Sequence, residues 1–200
     1  MSSRYETLVL DIIPPGCRRA IDVGCGNGGL TRALRGRGIP EVVGIDKDEP
    51  CIGRCKSHPG ADDISYVAGD VLTCPLEAGG FDLVSAVASL HHIDARAGLT
   101  RLRDLVAPGG VLVVLGLARP DLPKDIPVEV AAQLVRLVRP EPGKADGTPR
   151  PPIIWPPPER YATMRRLATE LLPGVRWHRH LRWRYSLVWA KSSFGTADPR

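Results

Sequence analysis

The sequence has no uninterrupted apolar stretch approaching the roughly 18 residues that a membrane-spanning helix requires, so no spanning segment is expected. Its first residues, MSSRYETLVLDIIPP, lack the succession of basic region, long apolar core and small-residue cleavage site that marks a secretory leader, which points to the cytoplasm. Cysteines are few and poorly spaced for structural work. Cys17, Cys25, Cys51, Cys55 and Cys74 are odd in number and contain no CxxC, which fits neither a disulfide framework nor a structural zinc site. They are expected to pack or lie at the surface, Cys51 and Cys55 one helical turn apart. No carboxylate set suited to a catalytic metal is evident, so no metal is expected, and no internal repeat is visible.

What is present suits one α/β domain. The chain has 200 residues, 43% hydrophobic and 24% charged, enough to build a core and below the size at which cores usually divide. The net charge of +5 is unevenly placed: residues 159–191 hold eight Lys/Arg against Glu159 and Glu170, a local +6, so the remainder carries −1. Basicity is therefore a property of one surface.

Along the chain, Ser3-x-x-Glu6 forms a capping box ahead of a short helix, and apolar runs then alternate with helical spacing. Strands are expected at Arg18–Gly24, Glu41–Asp46, Ile64–Gly69, Phe81–Ala88 and Val111–Ala118. Helices are expected at Asn27–Gly36, Glu49–Ser57 and Asp94–Val106, with Pro108-Gly109-Gly110 as a turn. Such alternation means a mostly parallel sheet covered on both faces. It stops at a segment from 119 to 158 that holds most of the prolines after Ala118. There a helix from Asp125 to Val138 and a loop up to Pro158 are expected, together forming a substrate lid. Regularity returns with a helix at Glu159–Leu172 and one or two strands in VRWHRHLRWRYSLVWAK, the last antiparallel.

The chemistry concentrates where the first strand becomes a helix. Asp22-Val-Gly24-Cys25-Gly26-Asn-Gly28-Gly29 is a glycine loop of the kind that lets a nucleotide approach backbone N–H groups. Gly24, Gly26 and Gly29 satisfy both the dinucleotide GxGxxG and the DxGxG loop of S-adenosylmethionine enzymes. Asp22 precedes the glycines by two and can orient the loop and favour a cationic ligand. Asp46 ends the second strand 22 residues after Gly24, where it can accept from ribose hydroxyls. Gly69-Asp70-Val71 ends the third, where an acid can accept from an adenine amino group and the following N–H can reach the ring. The last feature favours S-adenosylmethionine over a dinucleotide.

With AIDVGCGNG in the first loop and Leu90-His91-His92 after the fourth strand, the chain resembles the class I, Rossmann-like, S-adenosylmethionine-dependent methyltransferases, over about Tyr5 to Ala118 and again at Leu172–Gly174 and Arg184–Trp189. The resemblance implies a seven-stranded methyltransferase sheet. It implies Gly24, Cys25 and Gly26 beneath the methionine half of the cofactor and Asp46 on the ribose. Lys47 would lie by the adenine at a position more often apolar, Asp70 and Val71 would contact the adenine, and Val87 would be a backbone contact near the cofactor amine. Tyr5 would close the pocket from the leading helix.

His91 and His92 are the candidate bases for proton removal during transfer, against a purely structural role in the loop. The fourth strand leads into AVASLHH, without the Asn or Asp before Pro-Pro-aromatic that base-amino methyltransferases carry, and no cysteine stands there as a cytosine C5 nucleophile. The Trp/Arg alternation near the C-terminus reads as the two faces of a strand, which argues against a nucleic-acid platform. The expected reaction is methyl transfer to an oxygen or nitrogen of a small molecule, in the setting of secondary metabolism. The alternative is an RNA or protein methyltransferase using the basic C-terminal segment, and a protein that binds the cofactor without turnover is a third reading.

Overall fold

In a computed structural model, residues 4–123, 125–126, 155–180 and 183–193 are described here, with side chains from Glu6 onward. Most of the expected Asp125–Val138 helix and of its following loop (127–154), Ser3 of the capping box and the Tyr5 side chain lie outside the described residues. The elements are α1 (Arg4–Asp11), β1 (Arg19–Val23), α2 (Gly29–Gly36), β2 (Glu41–Asp46), α3 (Glu49–Lys56), β3 (Ile64–Ala68), β4 (Phe81–Val87), a 3-10 turn (Leu90–His92), α4 (Ala95–Leu105), β5 (Val106–Leu117), α5 (Tyr161–Leu171), β6 (Arg176–Arg179) and β7 (Arg184–Ala190).

The seven strands form one sheet in the order β3-β2-β1-β4-β5-β7-β6. The first five run parallel, and β7 lies antiparallel to both β5 and β6. Period-two alternation divides the apolar residues between the two faces. Leu83 and Val113 pack with Val9 of α1 and Leu34 of α2, while their neighbours Val84 and Leu112 pack with Leu99 and Leu102 of α4 and Leu167 of α5. Both faces are thus covered, as the continuous apolar runs of β4 and β5 require.

Two helices, α3 and α4, start where an aspartate caps them. Asp94 accepts from the Ala97 N–H at 2.8 Å at the head of α4, and Asp48 accepts from Cys51 N–H at 3.0 Å at the head of α3. The structure differs from the sequence expectation at Pro108-Gly109-Gly110, which sits inside β5 rather than before it. Phe81 pairs with Val106 and Leu83 with Val111, so the extra residues are absorbed in a bulge. Gly110 permits this because a Cβ there would stand 2.9 Å from the Asp82 carbonyl oxygen. Among the described residues, no helix is long and apolar enough to cross a membrane.

Candidate active site

β1 and β4 are central neighbours whose onward connections leave toward opposite sides of the sheet, and this divergence opens a crevice beyond their carboxyl ends. The crevice is a cleft of about 510 Å³. Its floor is the turn after β1. Gly24 N–H and Cys25 N–H both donate to the Ile45 carbonyl, at 2.8 and 3.1 Å, which ties the turn to the end of β2. Gly24 has φ +72°, and a Cβ on it would stand 2.2 Å from Cβ of Ser89 in the loop after β4. Ser89 Oγ donates to the Val23 carbonyl at 2.7 Å, so the two loops that bound the cleft are locked together. Gly26, at φ +51°, has open space where a Cβ would be, and this leaves room for a ligand against the backbone.

Asp46 is held by two backbone donors. One carboxylate oxygen accepts from Gly26 N–H at 2.9 Å and the other from Asp48 N–H at 3.0 Å. Each oxygen keeps a further lone pair with which to accept a hydroxyl. Lys47, the next residue, reaches Asp70 at 2.9 Å, and Asp70 also accepts from Leu72 N–H at 2.9 Å. The Lys47 contact first, and the Leu72 N–H second, hold the Asp70 carboxyl below its ordinary range. Gly69, Val71, Leu102 and Ile93 complete walls that are mainly apolar.

Gly24, Cys25, Gly26, Asp46, Lys47, Val71, Val87 and His92 all line the cleft. Three candidates stand elsewhere. Asp22 is buried behind the floor, where Thr31 Oγ1 donates to one of its oxygens at 2.9 Å and Ser85 Oγ to the other at 3.2 Å. Burial pushes its carboxyl up to about 6, against the pull of those two hydroxyls. Asp70 lies at the rim, engaged with Lys47, while its neighbours Gly69 and Val71 face the cavity. His91 turns inward beside Leu90, Glu159, Met164 and Tyr185, and its buried Nδ1 has no hydrogen-bond partner. Burial first, and His92 second, bring its imidazole down to about 4. His92, whose ring centroid is 4.0 Å from that of His91, is exposed at the cleft, its pKa lowered by partial burial.

Ser89, Ala88, Asn27 and Asp48 also line the cleft and were not singled out from the sequence. Ala88 carries φ +54° and donates its N–H to the Leu115 carbonyl at 2.7 Å. No local sequence signal points to Ser89, whose place over Gly24 depends on a contact distant in the chain. Three thiols surround the loop: Cys55 Sγ donates to the Gly26 carbonyl at 3.1 Å, Cys25 Sγ lies 4.0 Å from the same oxygen, and Cys51 Sγ is 3.3 Å from Asn27 Oδ1. Burial raises all three thiol pKa values, so they pack the loop as neutral groups.

The cleft fits S-adenosylmethionine: an acceptor pair for a ribose at Asp46, an apolar wall at Val71, and an open backbone cradle at Gly26. Comparison with known proteins agrees. Residues 21–114 match the methyltransferase domain family. An uncharacterized methyltransferase of Mycobacterium tuberculosis is 35% identical over 189 residues, covering 92% of this chain and 93% of that protein. The malonyl-[acyl-carrier protein] O-methyltransferase of Enterobacter lignolyticus is 33% identical over 107 residues, 53% of this chain and 41% of that one. A demethylmenaquinone methyltransferase of Staphylococcus aureus is 33% identical over 109 residues, 52% and 45%. Among solved structures, the PH0226 protein of Pyrococcus horikoshii superposes with TM-score 0.66 at 18% identity, over 94% of this chain and 87% of that one. A SAM-dependent methyltransferase of Archaeoglobus fulgidus superposes with TM-score 0.62 at 16% identity, over 93% and 92%. Its sheet order, its glycine cleft and its full-length kinship with a methyltransferase place the chain in the class I family of S-adenosylmethionine-dependent methyltransferases.

Proposed function

We propose that the chain transfers the S-adenosylmethionine methyl group to an oxygen or nitrogen of a small molecule. The observation that carries this reading is the limited volume of the cleft: about 510 Å³, bounded by Ile93, Leu102, Ala86 and Val71, must receive cofactor and acceptor together, which suits an acceptor of small size. The partial relatives lend support, since their names specify malonyl-[acyl-carrier protein] and demethylmenaquinone as what they methylate.

The cofactor supplies an electrophilic methyl group on a sulfonium. Asp46 would orient the ribose by accepting its hydroxyls, and Gly24 to Gly26 would let the methionine half lie against the backbone. Alignment of nucleophile, methyl and sulfur supplies much of the acceleration in such a transfer. His92 is the basic side chain of the cleft next to the loop after β4, and its lowered pKa keeps it neutral at physiological pH, ready to take a proton from a hydroxyl or ammonium acceptor. His91 would hold the loop through packing. The segment 119–158 is proposed to cover the acceptor, because its ends emerge at the carboxyl edge of β5 beside the cleft.

The test uses methyl-labelled S-adenosylmethionine, the intact protein and a cell extract separated by size into metabolites and macromolecules. Label should pass to the metabolite fraction and be lost in a His92→Ala variant that binds S-adenosylhomocysteine normally. Label in RNA or protein alone overturns the reading.

A further inference from the structure

Three of the eight basic residues of 159–191, Arg165, Arg166 and Arg179, line a second concavity that the cleft does not use. Between α5 and β6 lies an open groove of about 840 Å³. It shares no lining residue with the methyl-transfer cleft. A packed layer around His91, Met164 and Tyr185, enclosing a cavity of only about 10 Å³, stands beside Leu90 and Ile93, which also border the cleft.

The groove is built from aromatic rings and guanidinium groups. Trp177 lies against Tyr185, ring centroids 4.4 Å apart and planes within 12°, which fixes the indole as part of the wall. Arg179 stacks over Tyr161 at 4.1 Å and pairs with the largely buried Asp125, so it too is held in place. The acids of the groove are engaged: Asp121 accepts from Ala162 N–H at 2.8 Å, and Glu170 is gripped by Arg96 at 2.7 and 2.8 Å. Arg165 and Arg166, exposed on the same helix, enter no salt bridge among the described residues.

We propose that this groove is a second binding site that takes a phosphate monoester carried on an aromatic or heterocyclic group. Arg165 and Arg166 both line the groove outside any salt bridge, Arg166 acting on Glu170 only at longer range, and their two positive charges match a phosphate monoester, which carries roughly −1.5 to −2 near neutral pH, better than a singly charged carboxylate. Guanidinium forks suit the tetrahedral oxygens, and the half-buried Trp177 in the wall supplies apolar surface for the attached ring.

The experiment is calorimetric titration of the intact protein, saturated with S-adenosylhomocysteine, with phenyl phosphate at low and high salt. Saturable binding that weakens with salt is expected, and the double variant Arg165→Gln/Arg166→Gln should bind at least about tenfold less tightly while its S-adenosylhomocysteine affinity is unchanged. Both residues are exposed, so the variant keeps the fold, and a matching circular dichroism spectrum verifies it. Arg37→Gln, at an exposed site outside the groove, should leave phenyl phosphate binding as it is. Absence of saturable binding, or equal loss in the Arg37 variant, overturns the proposal. So does a short single-stranded RNA that needs Arg165 and Arg166 and is not displaced by phenyl phosphate, which would make the groove a polyanion track. The readout is binding alone, so the result is independent of which molecule accepts the methyl group.

Discussion

Lys47 Nζ lies 2.9 Å from an oxygen of Asp70, a contact that joins the ends of β2 and β3 across the rim of the cofactor cleft. The pair is solvent-accessible, with Lys47 56% exposed, and such pairs are worth about 0–1 kcal/mol. Adenine binding at this rim would compete with the lysine for the carboxylate. Lys47→Met should therefore tighten S-adenosylhomocysteine by up to about fivefold, and raising the salt concentration should tighten the parent in the same direction. Calorimetry at two ionic strengths checks both. A loss of affinity in Lys47→Met would mean that the lysine itself holds the ligand.

Gly24 faces two obstacles to any side chain, its φ of +72° and the 2.2 Å approach to Cβ of Ser89. Gly24→Ala should cost about 2 kcal/mol or more of folding stability and at least about tenfold in cofactor affinity. The Ser89→Gly background removes the collision but not the backbone cost, so part of the loss should return there. Equal losses in both backgrounds, measured by urea unfolding and calorimetry, would show that the contact is not what fixes the loop.

Asp22 and His91 give the fold opposing responses to pH. Asp22 is raised from its ordinary 3.8 to about 6, so the folded chain binds that proton more tightly and stability falls as pH rises through this window. His91 is lowered from 6.5 to about 4, so the unfolded chain binds its proton more tightly and stability falls as pH drops through 6.5 toward 4. The two slopes offset one another in the parent. Asp22→Asn should gain on the parent by about 3 kcal/mol between pH 4 and 7, while His91→Gln should retain stability at pH 4.5 that the parent loses. Urea unfolding at pH 4.5, 5.5 and 7 decides it, and variant curves parallel to the parent would refute the assignment.

For the chemical step, single-turnover rates should rise with pH along a limb below 6.5, the side to which burial moves His92. His92→Ala should remove this limb and lower kcat by about 10², with S-adenosylhomocysteine affinity within a few-fold. Equal pH profiles in parent and variant would assign the acceptor no base from this side chain.

The cofactor half of the molecule was legible because its signals are local. A glycine loop after a buried strand, an acid at the end of the next strand and a Gly-Asp-Val after the third each report on backbone positions a few residues away, and Gly24, Asp46 and Val71 do meet in one cleft. What escaped detection depends on contacts distant in sequence. Nothing near Ser89 announces that its Cβ fills the space over Gly24, and nothing near Lys47 announces the ion pair with Asp70. Asp22 shows the same limit: its chemistry suggested a ligand, but Thr31 and Ser85 engage its oxygens within the core. The proline and two glycines at 108–110 have the composition of a turn, and only pairing with β4 keeps the chain in the sheet there.

The cleft takes all its lining residues from Val23 to Leu102, and the groove between α5 and β6 takes all of its own from Asp121 to Arg179. The boundary between them in the chain is β5, a single strand hydrogen-bonded to β4 on one side and β7 on the other. Mutations that retune one site need not pass through residues of the other. The C-terminal third can therefore diverge, by substitution or by exchange with a paralogue at Val106–Leu117, while a donor-binding half of constant specification is inherited intact.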